Sequence, residues 1–487
     1  MSMQLISMQP ITTWWMPVKL SNVWLVVCGP AIILPASYFA QQNPPSQGRE
    51  VTKLYTGNCA GCHGADMSGG SASSLADAAW RFGGDDASIA NSIRDGHPDA
   101  GMPAMRQVLN DAEIRALVIY IHERGKAFEQ AHTKYNAPTP GTIVQSEKES
   151  FKLESVMETG LHEPWAIAFL PDGRMLVTER AGRLRIIEAG RLLPEPVHGM
   201  PAVYGGEGGL LDVTLHPNYS HPGSDWIYLS YGDKSPDGQG MTAVIRGRLR
   251  DGVFLDQQQI FKADVAHYRA GGQRFGSRLL FDGKGHLFFS VGDRAHPGDE
   301  QDLSCPNGKV YRVYDDGGIP KDNPFVDRPG ALPGIWTYGH RNPQGLVFSP
   351  ITGELWEAEH GPRGGDELNI LHRGHNYGWP VITYGMNYDG TPITPHTAQQ
   401  GHGSTRHVLG SFNRHQPYHL LYRQPLPAMD EQSLSGLIGG ARATPFSHRR
   451  RLGDAPGNSL QGDWPRARCS ECTGRLLVYR AQPAGPH

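Results

Sequence analysis

The chain has no excess of charge of either sign. Its 487 residues carry 45 lysines and arginines against 48 aspartates and glutamates, for a formal net charge of −3 at pH 7. This balance favours neither nucleic acid nor an anionic membrane surface as a partner. The chain also lacks a G-x-G-x-x-G segment that follows a strand and opens a helix, so NAD-linked oxidation has no support. Its length exceeds a single typical domain.

A long apolar run is missing as well. The stretch from Val23 to Pro35 follows Lys19, but it is too short, and too interrupted by Pro30, to span a bilayer comfortably. The small residues after it suit signal cleavage, so residues 1–40 predict an export signal, with a membrane anchor as the alternative. Export would place the protein in the bacterial periplasm.

Cysteine is scarce, with six in the chain. Two of them, Cys59 and Cys62, precede His63 in a C-x-x-C-H pattern, which predicts covalent attachment of haem c with His63 as an iron ligand. A zinc pair or a disulfide is the alternative. A zinc site would need two more ligands, and the other C-x-x-C, Cys469 and Cys472, lacks a following histidine. The motif therefore predicts single-electron transfer.

A histidine-ligated haem iron takes a second axial ligand. The Met102 thioether follows a glycine and precedes Pro103, and His/Met ligation raises the iron potential. Isolated methionines usually fill cores, so the spacing and the proline carry this choice. Met102 is the predicted ligand, with Met105 and His97 as alternatives.

The segment after this methionine has the pattern of a capped helix. Asn110 is followed three residues later by Glu113, and an apolar stripe then recurs at helical spacing, at Ile114, Leu117, Val118 and Ile121. With the haem motif and the methionine, residues 45–128 resemble a small cytochrome c domain. The resemblance implies an all-α fold, and the predicted domain spans residues 41–128.

From Phe151 the periodicity changes from helical to alternating. One phrase, strand, tight turn and strand, has copies that begin at Ala168, Thr214, Leu280 and Val347. Repeats at intervals of roughly 45 to 70 residues in a glycine-rich, all-β region predict the four-stranded blades of a β-propeller. A β-sandwich is the alternative, because it shares the alternation. Residues 129–150 are predicted to be the linker.

This region contains six distinctive phrases, EGGLLD at 207–212, FGSR at 275–278, VGDR at 291–294, YGHRNPQG at 338–345, EHGPRGGDE at 359–367 and NYGWP at 376–380. They are similar to phrases of the soluble quinoprotein glucose and aldose sugar dehydrogenases. The resemblance covers about residues 155–400 and implies a six-bladed propeller. It also implies pyrroloquinoline quinone (PQQ) and calcium as cofactors, and oxidation of aldose sugars at C1 to lactones.

The same resemblance implies roles for particular residues. Arg341, Asn342 and Gln344 would bind PQQ, with Arg341 also polarising the C5 carbonyl that receives hydride. The backbone carbonyls of Gly361 and Pro362 would ligate calcium, which takes oxygen ligands without needing side chains.

Two positions depart from the family pattern. Glu207 stands where these proteins often carry glutamine near the sugar and the quinone. Arg274 stands where they carry the histidine that acts as general base on the sugar C1 hydroxyl. A guanidinium keeps its proton near neutral pH and cannot act as that base. The sequence therefore predicts severely impaired sugar oxidation, and a solvated loop position for Arg274 is the alternative.

The composition changes after Gln400. Residues 402–487 contain no lysine and eleven arginines, and they lose the blade phrase. A divergent tail is one interpretation. The favoured hypothesis is an out-of-frame translation, because reading one base later with synonymous codons permits a string with blade alternation and the family's closing segment. The propeller, predicted at 151–401, would then lack a complete last blade.

Two functions remain open from sequence. In the first, PQQ takes two electrons from an aldose sugar and passes them singly to haem c, and then to a respiratory acceptor such as a cytochrome or a copper protein. In the second, the chain is a c-type electron carrier with a catalytically inactive propeller.

Overall fold

The computed structural model describes most of the chain after the predicted signal. It covers residues 48–132 without Ala78, 143–145, 150–398 without Ile351, 405–409 and 474–481. All of these residues belong to one compact unit. The predicted export signal at 1–40 lies outside the described residues. Within the described ranges, no helix is both long and apolar enough to cross a membrane.

The N-terminal described part is helical. Its elements are α1 (Val51–Asn58), α2 (Ala60–His63), α3 (Asp86–Asp95), the 3-10 turn η1 (Pro98–Ala100) and α4 (Asp111–His132). Helix α4 packs against α1 and α3. The apolar stripe predicted for α4 is buried at Ile114, Leu117, Val118 and Ile121. The helix continues to His132, four residues into the segment predicted as linker.

The predicted cap of α4 is confirmed. The Glu113 backbone N–H donates to Asn110 Oδ1 at 2.9 Å, and the Asn110 N–H donates to Glu113 Oε2 at 3.1 Å. This reciprocal pair satisfies two backbone donors that a helix start leaves open. Arg49 Nε also donates to Glu113 Oε1 at 2.8 Å. That bond, the largest lowering influence, holds the pKa of Glu113 at about 2.

We expect Glu113→Gln to destabilise the helical part by about 1–2 kcal/mol at pH 7, because an amide loses the charge-assisted bond with Arg49. A carboxyl whose pKa is lowered by folding stabilises the native state above its ordinary pKa of 4.5 and loses that contribution as the pH falls toward about 2. Wild type should lose this contribution across that window, and the variant should not. Urea unfolding followed by far-UV circular dichroism at several pH values measures both effects.

The control for this prediction is Asp95→Asn, which removes an exposed ion pair with Arg106 in the same helical part. Exposed pairs contribute about 0–1 kcal/mol, so the control should change the free energy of unfolding little. Equal losses in the two variants would contradict the role given to Glu113.

The β part begins with β1 (Ile143–Gln145) and β2 (Ser150–Leu161) and continues as four antiparallel four-stranded sheets in chain order. Blade 1 contains β3 (Pro164–Phe169), β4 (Met175–Glu179), β5 (Arg183–Glu188) and β6 (Arg191–Leu192). Blade 2 contains β7 (Leu210–Leu215), β8 (Ile227–Lys234), β9 (Gly240–Arg250) and β10 (Val253–Phe261). Blade 3 follows the 3-10 turn η2 (Val265–His267) and contains β11 (Gly276–Phe281), β12 (His286–Val291), β13 (Lys309–Tyr314) and β14 (Ile335–Tyr338). Blade 4 contains β15 (Pro343–Phe348), β16 (Leu355–Glu359), β17 (Asp366–Ile370) and β18 (Thr405–Leu409).

Each copy of the recurring phrase lies in the first hairpin of a blade, β3–β4, β7–β8, β11–β12 and β15–β16. The first strands of successive blades contact one another, β3 with β7, β7 with β11 and β11 with β15. The sheets therefore meet through their first strands around a common axis. This arrangement is that of a propeller, so the prediction is confirmed and the sandwich alternative is wrong.

Buried hydroxyls join the blades in a regular way. In each of the first three blades, the second strand carries a hydroxyl that donates to a backbone carbonyl on the next blade. The bonds are Thr178 to Leu211 at 2.5 Å, Ser230 to Ser277 at 2.6 Å and Ser290 to Pro343 at 2.8 Å. Because these atoms are buried, each bond satisfies polar groups that would otherwise destabilise the core.

A fifth sheet has the order β1-β2-β19, with β19 (Gly474–Ala481) antiparallel to β2. Two strands lie within the predicted aberrant tail, β18 and β19. Strand β18 completes blade 4, and β19 pairs with one edge of β2. The rest of residues 402–487 lies outside the described part. The described residues contain four complete blades and one three-stranded sheet, fewer than the six blades that the resemblance implies.

Candidate functional site

The candidate site lies where the loops of blades 2, 3 and 4 meet. Glu207, Arg274 and Arg341 come just before the first strands of these blades, and Asp293 and Gly361 come just after second strands. In an antiparallel hairpin the start of one strand and the end of the next lie at the same end. The hairpins therefore bring these residues together from distant parts of the sequence.

Arg274 is inside this site. The residue is 4% exposed, and its Nη1 donates to Asp293 Oδ2 at 2.9 Å. Its backbone N–H donates to Glu207 Oε2 at 2.8 Å, and its φ is +56°. Burial, followed by the charge of Arg341, lowers the pKa of Arg274, but a guanidinium remains protonated at neutral pH. The alternative of a solvated loop residue is wrong.

Asp293 is a site residue that the sequence analysis did not identify. Its Oδ2 accepts from both Arg274 Nη1 and Trp379 Nε1, each at 2.9 Å. The same indole N–H lies 3.0 Å from Glu300 Oε1. Burial, and then the charge of Asp293, raises the pKa of Glu300 to about 9, so Glu300 is neutral at pH 7. The phrase VGDR at 291–294 includes Asp293, but a single sequence does not reveal that this aspartate pairs with Arg274.

Arg341 is held by backbone groups of the loop after β16. Its Nη1 donates to the carbonyls of His360 at 2.8 Å and Gly361 at 2.5 Å. Its own N–H donates to Glu359 Oε2 at 2.7 Å. The guanidinium carbon lies 5.4 Å from the centre of the Trp379 ring, within cation–π range. The arginine is therefore fixed in position, while its Nε is buried without a partner.

The two polar neighbours of Arg341 lie at the start of blade 4, Asn342 just before β15 and Gln344 within it. Asn342 Oδ1 accepts the Gly276 N–H at 3.0 Å, which links blade 4 to the loop that carries Arg274. The Gln344 carbonyl accepts from Arg278 Nε at 2.6 Å, and its side-chain Oε1 is buried without a partner. Asn342 and Gln344 therefore both contact the segment that directly follows Arg274.

The two carbonyls predicted to bind calcium lie in a tight loop. The Gly361 N–H donates to Asp366 Oδ1 at 2.8 Å, and the Pro362 carbonyl accepts the Gly365 N–H at 2.9 Å. A Cβ atom at Gly361 would lie 1.7 Å from the Gly365 carbonyl oxygen, so only glycine fits. Each carbonyl accepts one hydrogen bond and keeps a second lone pair for a cation.

Three buried guanidiniums give this site a cationic character. Arg274, Arg294 and Arg341 are all at most 4% exposed. Burial is the main cause that lowers the pKa of Arg294, to about 10. Arg294 Nη1 and Arg341 Nε are buried donors without protein partners. Such donors fit a ligand with several anionic or carbonyl oxygens, and PQQ has both, so the residues fit this cofactor.

A buried acidic cluster lies beside the Arg341 loop. The cluster consists of His340, Glu357 and Glu359. Each offers one ligand atom, and these three atoms lie within 4.8 Å of one another, so this group of the described residues could hold a metal ion. Burial, and then the charge of Glu359, raises the pKa of Glu357 well above its usual range. A proton on Glu357 would reduce the repulsion between it and Glu359.

The haem motif spans the junction of α1 and α2. Cys59 is half-buried and Cys62 is exposed, and burial raises the pKa of the Cys59 thiol to about 11. His63 Nδ1 lies 2.8 Å from the Ser73 carbonyl oxygen. A carbonyl only accepts, so Nδ1 carries the proton and Nε2 keeps its lone pair for a metal. These three residues fit a covalent haem with iron ligated by His63.

The candidate sixth ligand packs on the same helical core. Met102 pairs through its backbone with His97, with N···O distances of 2.8 and 3.1 Å, and both Met102 and Met105 contact the core. His97 Nε2 lies 2.9 Å from Ser92 Oγ. The His97 ring stacks on the Phe82 ring, with the two ring centres 3.6 Å apart. The His97 ring thus has two partners in the helical part, and Met102 stays the predicted sixth ligand.

Two family models match separate parts of the chain. Residues 161–412 match Glucose / Sorbosone dehydrogenase, and residues 46–121 match cytochrome C oxidase, cbb3-type, subunit III. The chain is similar to the protein "Aldose sugar dehydrogenase YliI" of Escherichia coli strain K12, with 47% identity over 49% of this chain and 64% of that protein. It is also similar to the cbb3-type oxidase subunit CcoP of Azospirillum sp. strain B510, with 36% identity over 15% of this chain and 27% of the relative.

A solved structure agrees with the propeller assignment. The crystal structure of the soluble aldose sugar dehydrogenase from Escherichia coli, in the apo-form, superposes with a TM-score of 0.50 and 43% identity. The match covers 52% of this chain and 74% of that one. The chain spans less than two thirds of the length of the two curated relatives. This chain therefore belongs to the glucose/sorbosone dehydrogenase family and carries a cbb3-type cytochrome c domain in the same polypeptide.

Proposed function

We propose that this chain oxidises aldose sugars at C1 to lactones with PQQ and delivers the electrons to its own haem c. The observation that carries the proposal is the buried cationic site of Arg274, Arg294 and Arg341, whose unpartnered donors suit an anionic quinone. The haem motif in the same compact unit supplies a one-electron acceptor. Oxidation of the sugar releases a hydride and a proton, and the two electrons then leave one at a time.

PQQ, when bound, supplies the carbonyl that accepts the hydride. Arg341 would hold and polarise the quinone through its guanidinium, since backbone carbonyls already fix that group. Asn342 and Gln344 would orient the ring system, and Glu207 would lie at the sugar side. Calcium would bind at the Gly361 and Pro362 carbonyls, where the second lone pairs are available.

The proton of the sugar hydroxyl has no strong acceptor at the expected position. Arg274 cannot take it, and its guanidinium donates to the Asp293 carboxylate. Asp293 Oδ2 already accepts hydrogen bonds from Arg274 Nη1 and Trp379 Nε1. We therefore propose that proton removal limits the rate, and that turnover is slow in this chain.

The remaining parts of the proposal concern the ends of the chain. Residues 1–40 act as an export signal to the periplasm, and a respiratory cytochrome or copper protein reoxidises the haem. The helical part is an all-α cytochrome c domain with Met102 as sixth ligand. Residues 402–487, which include β18 and β19, are read out of frame, so the last part of a six-bladed propeller is incomplete. Sequencing the coding DNA tests this last point, because an intact dehydrogenase end must exist in the neighbouring frame.

The test of function uses the full haem-containing chain. After loading with calcium and PQQ, addition of an aldose should reduce the haem, seen as growth of its reduced absorption bands. Protein without PQQ, and loaded protein without sugar, are the controls. Haem that is reduced by ascorbate but by no aldose would overturn the enzyme proposal.

A second function is favoured by one specific observation, the buried Arg274–Asp293 ion pair in place of a base. The chain would then be a c-type electron carrier whose propeller has no sugar turnover. The ascorbate-only result would support it.

A further inference from the structure

The helical part contacts the propeller at the loop that follows the candidate calcium ligands. Arg363 of the propeller forms a bidentate ion pair with Glu123 of helix α4. The distances are 3.0 Å from Nε to Oε1 and 2.6 Å from Nη2 to Oε2. Both side chains are 23% exposed, so the pair is largely removed from water. Partly buried, bidentate pairs of this kind fix geometry more strongly than single exposed contacts.

The residue after Arg363 also contacts α4 directly. Gly364 has a φ of +77°, and a Cβ atom there would lie 2.5 Å from Cγ2 of Ile119. Glycine thus satisfies both the left-handed backbone and the close approach of the helix. Nearer the start of α4, Arg115 Nη2 donates to the Thr394 carbonyl at 2.6 Å. The helix therefore holds the propeller loops at three separate points.

The other side of this loop is held by a second propeller segment. The Met386 N–H donates to the Arg363 carbonyl at 2.9 Å. Met386 is 1% exposed and packs in the hydrophobic core of the helical part, next to α1 and α4. The Val51 N–H, at the start of α1, donates to the Gly390 carbonyl at 3.0 Å. The loop therefore lies between α4 and a segment that is itself anchored in the helical core.

This loop is the one that carries the candidate calcium carbonyls. Gly361 and Pro362 precede Arg363 directly, and the Pro362 carbonyl accepts from Gly365 within the same turn. Movement of 363–365 would shift both carbonyls and release the Gly361 oxygen from Arg341.

We propose that helix α4 braces the 361–365 loop, so that Glu123 of the haem-bearing part is a positioning residue for the calcium and quinone site of the propeller. This inference rests on the proposed function for the identity of the cofactors. The helical part would then be a structural element of the sugar site as well as its electron acceptor. Without the brace, the loop spends only a fraction of its time in the binding conformation, and the apparent affinity falls by that fraction.

The test compares three full-length proteins, wild type, Glu123→Ala and Asp111→Asn. Asp111 lies on the same helix, but its ion pair is with Arg94 inside the helical part, so it is the matched control. Hydrogen exchange of the peptide that contains Gly361 to Gly365 should be about tenfold faster in Glu123→Ala and unchanged in the control. Titration with PQQ in saturating calcium should give a dissociation constant about tenfold higher in Glu123→Ala only. Haem content and helical circular dichroism check folding.

A charge exchange separates bracing from general damage. Glu123→Arg combined with Arg363→Glu should restore slow exchange and PQQ affinity, whereas each single change should not. Exchange or PQQ affinity in Glu123→Ala equal to that of wild type would overturn the brace. If wild type takes up no PQQ, the proposed function fails, and the exchange comparison alone decides whether α4 braces the loop.

Discussion

Replacing Arg274 with histidine is expected to raise PQQ-dependent aldose oxidation by on the order of a hundred- to ten-thousandfold, the usual contribution of a general base. An imidazole there would lie beside Asp293, which now binds the guanidinium at 2.9 Å and would orient the ring. The φ of +56° at this position is one that histidine adopts more readily than most residues. Steady-state turnover of the loaded protein, measured as kcat/KM against pH, tests the gain. Activity should rise through the pKa of the new imidazole.

Two further variants separate the effect of adding a base at position 274 from the effect of removing the arginine charge. Arg274→Gln removes the cation without adding a base, so at saturating PQQ it should show none of the gain in turnover expected of the histidine variant. Adding Asp293→Asn to Arg274→His should remove most of the gain, because the imidazole loses its orienting partner. A histidine variant that binds PQQ as tightly as wild type but gains no turnover would refute the role assigned to position 274.

Changing Cys59 and Cys62 together to alanine is expected to abolish covalent haem, since both thioether bonds depend on these sulfurs. The loss should be complete on a haem-stained denaturing gel, and sugar-dependent reduction of haem should vanish with it. Cys305 is the matched control, because it is buried in blade 3 and far from the motif in sequence. Cys305→Ala should keep full haem stain, and haem that survives the double change would contradict the assignment.

The local elements of this fold could be predicted from sequence because their signals are short in range. The reciprocal cap of Asn110 and Glu113, the buried stripe of α4 and the first hairpin of each blade all involve residues close in the chain. The extension of α4 to His132 was not predicted, since residues 129–132 lack the apolar pattern that marked the helix.

The site itself depends on contacts that one sequence does not reveal. The phrases identified Arg274 and Arg341, but the partner of Arg274 is 19 residues away, on the loop after β12. The bracing pair of Glu123 and Arg363 is separated by 240 residues. Such pairs follow from how whole blades and helices pack, and local propensity carries no information on them.

The most direct measurement of the central claim, that one chain couples sugar oxidation to its own haem, is anaerobic stopped-flow reduction of the haem. Wild type and Arg274→His, both loaded with calcium and PQQ, are mixed with saturating aldose at several protein concentrations. If the two reactions are coupled within one chain, the first-order rate constant of haem reduction should not depend on protein concentration and should be larger in the histidine variant. A rate constant that increases in proportion to protein concentration, or no sugar-dependent reduction in either protein, would contradict this coupling.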